Sequence, residues 1–196
     1  MPPIPDAHRQ AKYQVRFDWA AEGAAAVAED ADVVVWVDAV GGEPTRDPAP
    51  GSLPGQGIVL AAGLTNPSAV ARRILDEQVR LGRRAMIALV AAGGVTPAGG
   101  TRFAFEDLLA AGAVVDALAA VGIDYCSPEA AAASAAFTGL RGAVAHLLTA
   151  SASGQELVQA GSAPQEVAAL GRLDSVQKVL VLRTSSEPER TTSRAE

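Results

Sequence analysis

The apolar run Val33 to Val37 constrains the fold of this chain more than any other feature of its sequence. Four of its five residues are valines, which are β-branched, and the fifth is Trp36. An uninterrupted run of this kind is typical of a strand covered on both faces. Such strands occur in parallel sheets that carry helices on both sides. The run therefore predicts the central strand of an α/β fold.

Further strands and helices alternate along the first two thirds of the chain. Hydrophobic periodicity and capping signals predict strands at 13–17, 58–60 and 86–90 and helices at 66–81 and 103–121. The first of these strands alternates apolar and polar residues, as an edge strand does. Because β-α-β units in this order have parallel strands, we expect a three-layer α/β/α sandwich with a mostly parallel sheet.

The last third of the chain predicts helices and one final strand. The helical pattern begins at Ser127 and is interrupted near Gly139, Ser153 and Gly161. Residues 176–182 predict a strand that returns to the sheet. Residues 184–196 are rich in Ser, Thr and charge, which is typical of disorder. We therefore expect one α/β domain at residues 1–183 and a disordered tail at 184–196.

Charge and composition exclude several classes of function. The 16 Lys and Arg residues are scattered, and the formal net charge of −6 argues against a nucleic-acid-binding surface. No apolar run approaches the ~20 residues that cross a bilayer, and the first residues lack the pattern of a signal peptide. A single cysteine, Cys126, fits a reducing compartment. We expect a cytoplasmic protein whose partner is neither nucleic acid nor membrane.

Acidic side chains follow the predicted strands, at the edge where open parallel sheets bind ligands. Asp38 ends the central strand, and a carboxylate there is costly to bury without a partner or a metal. Glu106 and Asp107 lie in the first turn of a predicted helix, after a Gly-rich loop. Turn capping by Asp38 and favourable interaction of one acid with the helix dipole are the alternatives.

The neighbourhood of Arg102, Glu106 and Asp107 favours a magnesium or phosphate site. Mg²⁺ is held by one or two carboxylates together with the phosphate oxygens of its substrate. Arg102 supplies the positive charge that binds an anion, and we assign it to substrate binding on that ground alone. His8 and His146 lie far from these segments in sequence, so no Ser-His-Asp or Cys-His arrangement is predicted.

Four stretches of the chain resemble one protein family. Thr101 to Ala113 resembles the FxxEDLLGAGA segment of the 2-phosphosulfolactate phosphatase family, also called the ComB family. Residues 62–71 are similar to its GxLxNASAVA segment, and Ser151 to Leu157 to its SxxGxxL segment. Residues 17–24 and 33–38 resemble its opening helix and the strand that ends in aspartate. Together these stretches span most of residues 13 to 182.

The resemblance implies a Mg²⁺-dependent acid phosphatase with an α/β/α fold. Its family substrate is 2-phospho-3-sulfolactate, a small phosphorylated acid. Carried over by motif, Asp38, Glu106 and Asp107 are the implied catalytic groups and Mg²⁺ ligands. Asn66 is implied to line the substrate site. Arg102 is not part of the family pattern.

The sequence also departs from the family after Asp38. The family continues with Val-Leu-Arg, whereas this chain has Ala39, Val40 and Gly41. A Gly- and Pro-rich loop at 41–57 then replaces a longer family segment. An arginine at this point would clamp a phosphate. Its absence leaves a second hypothesis open: a catalytically degenerate family member that acts as a binding or assembly protein, for instance as a homodimer paired through its Ala-rich helices.

Overall fold

A computed structural model describes residues 4–41, 49 and 52–185 of the protein. The strands of this part of the chain are Val15–Trp19 (β1), Val33–Val37 (β2), Ile58–Ala62 (β3), Ile87–Ala91 (β4), Gly94–Val95 (β5), Thr101–Arg102 (β6) and Val181–Arg183 (β7). The α-helices are Ala20–Val27 (α1), Pro67–Leu81 (α2), Phe105–Ala120 (α3), Pro128–Leu140 (α4), Val144–Ala150 (α5), Ala152–Gln159 (α6) and Pro164–Leu170 (α7).

Five of these strands form one sheet in the order β1-β4-β2-β3-β7. The pairs β1–β4, β4–β2 and β2–β3 are parallel, and β7 is antiparallel to β3. Strand β2 lies at the centre and all five of its residues are buried, as the β-branched run predicts. Strand β1 lies at an edge, as predicted, but it spans Val15–Trp19 instead of 13–17. The expected half-buried pattern is wrong, because the polar residues Gln14 and Arg16 are buried as well. Strands β5 and β6 form a separate antiparallel hairpin.

Side chains of the central strands alternate between two hydrophobic cores. Val33, Val35 and Val37 face the core formed with α2, α3 and α4. Val34 and Trp36 face the core formed with α1. Since the sheet has helices on both faces, the protein is an α/β/α sandwich with a mostly parallel sheet, as the sequence predicts.

The last strand is shorter than predicted. The expected strand was 176–182, whereas the strand that pairs with β3 is Val181–Arg183. The reason is that the preceding residues bond to the start of α2 instead: the Val176 N–H donates to the Thr65 carbonyl at 2.9 Å, and the Lys178 carbonyl accepts from the Asn66 amide at 3.4 Å. The predicted helix break at Ser153 is also displaced, because Ser151 is the N-cap of α6 and Ser153 lies inside that helix.

Parts of two predicted segments lie outside the described residues. These are residues 42–48, 50 and 51 of the Gly- and Pro-rich loop and residues 186–196 of the predicted tail. Among the helices that the structure describes, none combines the length and the apolar character that crossing a membrane requires.

Candidate active site

The parallel strands bring their carboxyl ends to one edge of the sheet. Asp38 follows β2, Gly63 follows β3 and Gly93 follows β4. Helix α3 begins at Phe105 beside this edge, with Glu106 and Asp107 in its first turn. The predicted acidic segments therefore lie where open α/β sheets bind ligands.

Asp107 connects three of these segments. Its side chain is buried, with Oδ1 accepting from the Ala39 N–H and Oδ2 from the Gly93 N–H, both at 2.9 Å. One carboxylate thus ties the turn after β2 and the turn after β4 to the start of α3. Burial and the nearby Asp38 carboxylate raise the pKa of Asp107 to about 8, against the effect of the two N–H donors.

Asp38 lies close to Asp107 and is half-buried. Its backbone N–H donates to the Ala62 carbonyl at 3.0 Å, which continues the β2–β3 pairing by one residue. The carboxylate of Asp38 lies against the backbone of Gly41, so closely that a Cβ at position 41 would collide with it.

Glu106 is the most deeply buried acid here that lacks compensation. Its residue is 2% exposed, and its Oε1 is buried without a hydrogen-bond partner among the described residues. A carboxylate oxygen taken out of water in this way calls for a proton or a cation. Glu106 is also close enough to Asp107 to raise the pKa of that group. Two buried acidic side chains therefore lie next to each other at the start of α3.

The donor set fits a cation that takes few ligands from the protein. The described residues contain no group of three or more His, Cys, Asp or Glu side chains arranged around one metal position. Mg²⁺ does not require such a group, since one or two carboxylates with substrate phosphate and water oxygens suffice. Glu106 Oε1, which has no hydrogen-bond partner among the described residues, is one candidate ligand for that smaller set. Asp38 is a second candidate, since it, like Glu106, is close enough to Asp107 to raise the pKa of that group. Both oxygens of Asp107 already accept backbone N–H groups.

Asn66 is buried in the turn between β3 and α2. Its Oδ1 accepts from the Gly63 N–H at 3.0 Å, and its Nδ2 donates to the Ala61 and Lys178 carbonyls at 3.3 and 3.4 Å. These bonds hold the turn after β3 against the segment that leads to β7. Contact between Asn66 and a substrate stays a prediction.

Arg102 ends the β5–β6 hairpin next to the start of α3. Its Nη2 donates to Ser153 Oγ at 3.3 Å and lies 4.0 Å from Glu156 Oε1, both on α6. The guanidinium also lies against Gly94, where a Cβ would be 2.8 Å from Nε and Nη2. Arg102 thus links α6 to the turn that Asp107 holds.

Two features of this edge are absent from the sequence-based prediction. Asp174 accepts from the Ser68 N–H at 2.8 Å and from its hydroxyl at 2.7 Å, and so satisfies the start of α2 from 106 residues away. No local signal predicts such a distant cap. Ser153, the partner of Arg102, lies within the SxxGxxL stretch, and that motif was the signal that could have pointed to it.

These features define a class of protein: an α/β/α sandwich with a cluster of buried carboxylates at the carboxyl ends of its parallel strands. A family model described as 2-phosphosulpholactate phosphatase matches residues 53–185. Because the match covers more than half of the chain, the protein belongs to this family. A search of curated proteins found no match.

The structure gives physical reasons for one motif of the matched segment. Ser151 accepts from the Gly154 N–H at 3.1 Å and so caps α6. A Cβ at Gly154 would collide with the Leu148 carbonyl, so glycine permits the tight junction between α5 and α6. The motif therefore places α6 beside Arg102.

Proposed function

We propose that this protein is a Mg²⁺-dependent phosphatase that hydrolyses a small phosphorylated acid, with 2-phospho-3-sulfolactate as the substrate indicated by the family. The observation that carries this proposal is the buried Glu106 oxygen, which has no partner within the described part of a chain of a phosphatase family. Glu106 and Asp38 are both close enough to Asp107 to raise its pKa. A phosphate ester and its metal ion are ligands that would use such a concentration of carboxylates.

Each residue at this edge has a proposed part. Glu106 and Asp38 would hold Mg²⁺, which supplies positive charge to the phosphate oxygens and lowers the pKa of a bound water. Asp107 holds the turns after β2 and β4 against α3. Its further role as a catalytic group and Mg²⁺ ligand stays a prediction. Arg102 would bind a phosphate oxygen through its guanidinium. Asn66 would fix the turn that faces the substrate.

The direct test is phosphate release from a small phosphoester with Mg²⁺, before and after addition of EDTA. We expect Glu106→Gln to lower kcat by about 10²-fold or more, because it removes a charge that acts on the reacting phosphate. Glu129→Gln is the matched control. Glu129 occupies the same position in the first turn of α4 that Glu106 has in α3, but it is exposed.

Three results would contradict this proposal, each in a different part. Activity that EDTA leaves unchanged would rule out the dependence on a metal ion. Activity that survives Glu106→Gln would rule out the role assigned to Glu106. No release from any phosphoester, with a correctly folded protein, would favour the degenerate binding or assembly protein instead.

A further inference from the structure

The guanidinium of Arg102 is held by groups from two elements. Ser153 Oγ accepts from Nη2 at 3.3 Å, and Glu156 Oε1 lies 4.0 Å away. On another side the guanidinium lies within 3.0 Å of the place that a Cβ of residue 94 would take. Neither polar contact is strong by its length. What the contacts provide is one orientation for a long side chain that would otherwise have several rotamers.

This orientation is tied to the acidic cluster through adjacent residues. Gly93 donates its N–H to Asp107 Oδ2 at 2.9 Å, and the next residue, Gly94, supports the guanidinium. The Asp107 carboxylate and the Arg102 guanidinium therefore contact two adjacent residues of the turn after β4.

Ser153 is suited to orient a cation. The residue is 6% exposed and stands in the first turn of α6, which Ser151 caps. Since Ser153 Oγ accepts from Arg102, the hydroxyl proton stays available as a donor. The serine therefore adds no negative charge that would compete with an anionic ligand for the guanidinium.

Gly94 is suited to position the Arg102 guanidinium for a different reason. The three heavy atoms nearest to a Cβ at this position are all in the Arg102 guanidinium, at 2.8 to 3.0 Å. Glycine thus leaves the space that the guanidinium occupies. A methyl group there would first meet the flexible end of the Arg102 side chain, so we expect it to displace the guanidinium.

We propose that Gly94 and Ser153 are positioning residues that fix Arg102 as the anion-binding arginine of this site. The inference rests on the proposed function for its substrate, but its own prediction concerns phosphate binding. The ligand chemistry is a tetrahedral oxyanion, and inorganic phosphate is the probe.

The test uses the full chain with Mg²⁺ and compares Gly94→Ala, Arg102→Ala and the double variant. For each we would measure KM and kcat with a small phosphoester, and the rise in melting temperature caused by inorganic phosphate. We expect each single substitution to raise KM about tenfold, which is the order of a lost charge-assisted hydrogen bond, with a smaller change in kcat. The double variant should equal Arg102→Ala, because Gly94→Ala acts only through the guanidinium.

Two further variants separate positioning from folding. Ser153→Ala should raise KM and reduce the phosphate-induced shift, and Ser153→Thr should restore both because it keeps the hydroxyl group. Gly139→Ala is the control, since nothing lies within 4 Å of a Cβ at that position. It should leave KM and the shift unchanged.

The results distinguish this inference from the phosphatase itself. If the protein cleaves no phosphoester but phosphate raises its melting temperature less in Gly94→Ala and Ser153→Ala, the proposed function fails and the positioning role stands. Additive effects of Gly94→Ala and Arg102→Ala on KM would overturn the positioning role. So would the same phosphate-induced shift in every variant, or no shift in the unmodified protein.

Discussion

A buried carboxylate is stable only where donors, protons or cations compensate for the water it has lost. Asp107 and Glu106 are adjacent on α3 and are both buried, yet their compensation differs. Each carboxylate oxygen of Asp107 accepts a hydrogen bond from a backbone N–H. Glu106 leaves Oε1 without a partner among the described residues. We infer that Asp107 shapes the site and that Glu106 is the group kept for a ligand.

Asp107→Asn tests the shaping role. The amide nitrogen would face one of the two backbone N–H groups that the carboxylate now accepts, and a buried donor left unsatisfied costs about 1–3 kcal/mol. We expect a loss of stability of that size and faster hydrogen exchange at the Ala39 and Gly93 amides. Asp116→Asn, on the exposed side of the same helix, is the control. Unchanged exchange at both amides would contradict the role.

The sequence predicted which residues lie in the first turn of α3 but not their hydrogen-bond partners. Glu106 and Asp107 were placed at a helix start by composition and by the Gly-rich loop before them. The partners of Asp107 are 68 and 14 residues away in sequence, and no local pattern carries that information. Asp174, which caps α2, was missed for the same reason.

Helices α3 and α4 of the larger core approach each other closely at a glycine. Gly112 on α3 faces the backbone of α4, and a Cβ there would collide with the Ala133 carbonyl. This contact between helices explains how a chain with few aromatic residues fills its core. Small residues let the helix backbones come together.

Gly112→Ala should therefore destabilise the protein. Overpacking of a close contact costs about 1–3 kcal/mol, although alanine favours a helix more than glycine does. Gly139→Ala, on α4 with open space around the Cβ position, should instead leave stability unchanged or raise it by up to about 1 kcal/mol. Urea unfolding of both variants checks the difference. Equal effects would show that the helices do not touch at Gly112.

The opposite ends of the strands are held by an ion pair. Asp32 accepts from both terminal nitrogens of Arg83 at 2.7 Å and from the Met86 N–H at 2.8 Å. These bonds join the start of β2 to the segment before β4. Burial alone would raise the pKa of Asp32, but Arg83 and Met86 outweigh it and hold that pKa below its usual value.

The pH dependence follows from the sign of this shift. The stability that Asp32 contributes is present above its unfolded pKa of about 3.9 and is lost as the pH falls through the lower folded value. We expect Asp32→Asn to cost about 1–3 kcal/mol at pH 7. The difference from the unmodified protein should shrink below about pH 4. Urea unfolding at pH 7 and pH 3 measures it, and a difference independent of pH would refute the assignment.

Secondary structure was predictable where periodicity was strong. Strand β2 and helix α2 agree with the sequence pattern, because a β-branched run and an Asn-Pro start admit few other structures. The last strand was predicted too long, since the bonds of Val176 and Lys178 to the α2 start compete with sheet pairing. That competition involves distant segments and leaves no trace in a local pattern.

For the molecule as a whole, the family match and the sheet have different extents. The matched segment begins at residue 53, after β1 and β2. Its strands β3 and β4 are not neighbours, because β2 lies between them. The preceding part of the chain therefore completes the sheet of the family segment. It also contributes Asp38, so the proposed site needs both parts.

A crystal structure with Mg²⁺ and inorganic phosphate would test most directly whether these acids form one site. We predict one Mg²⁺ at the carboxyl edge of the sheet, with Asp38 and Glu106 oxygens at about 2.0–2.1 Å and a phosphate oxygen within hydrogen-bonding distance of Arg102. Metal and phosphate bound at the opposite ends of the strands, or at a position that neither carboxylate reaches, would contradict the proposed site.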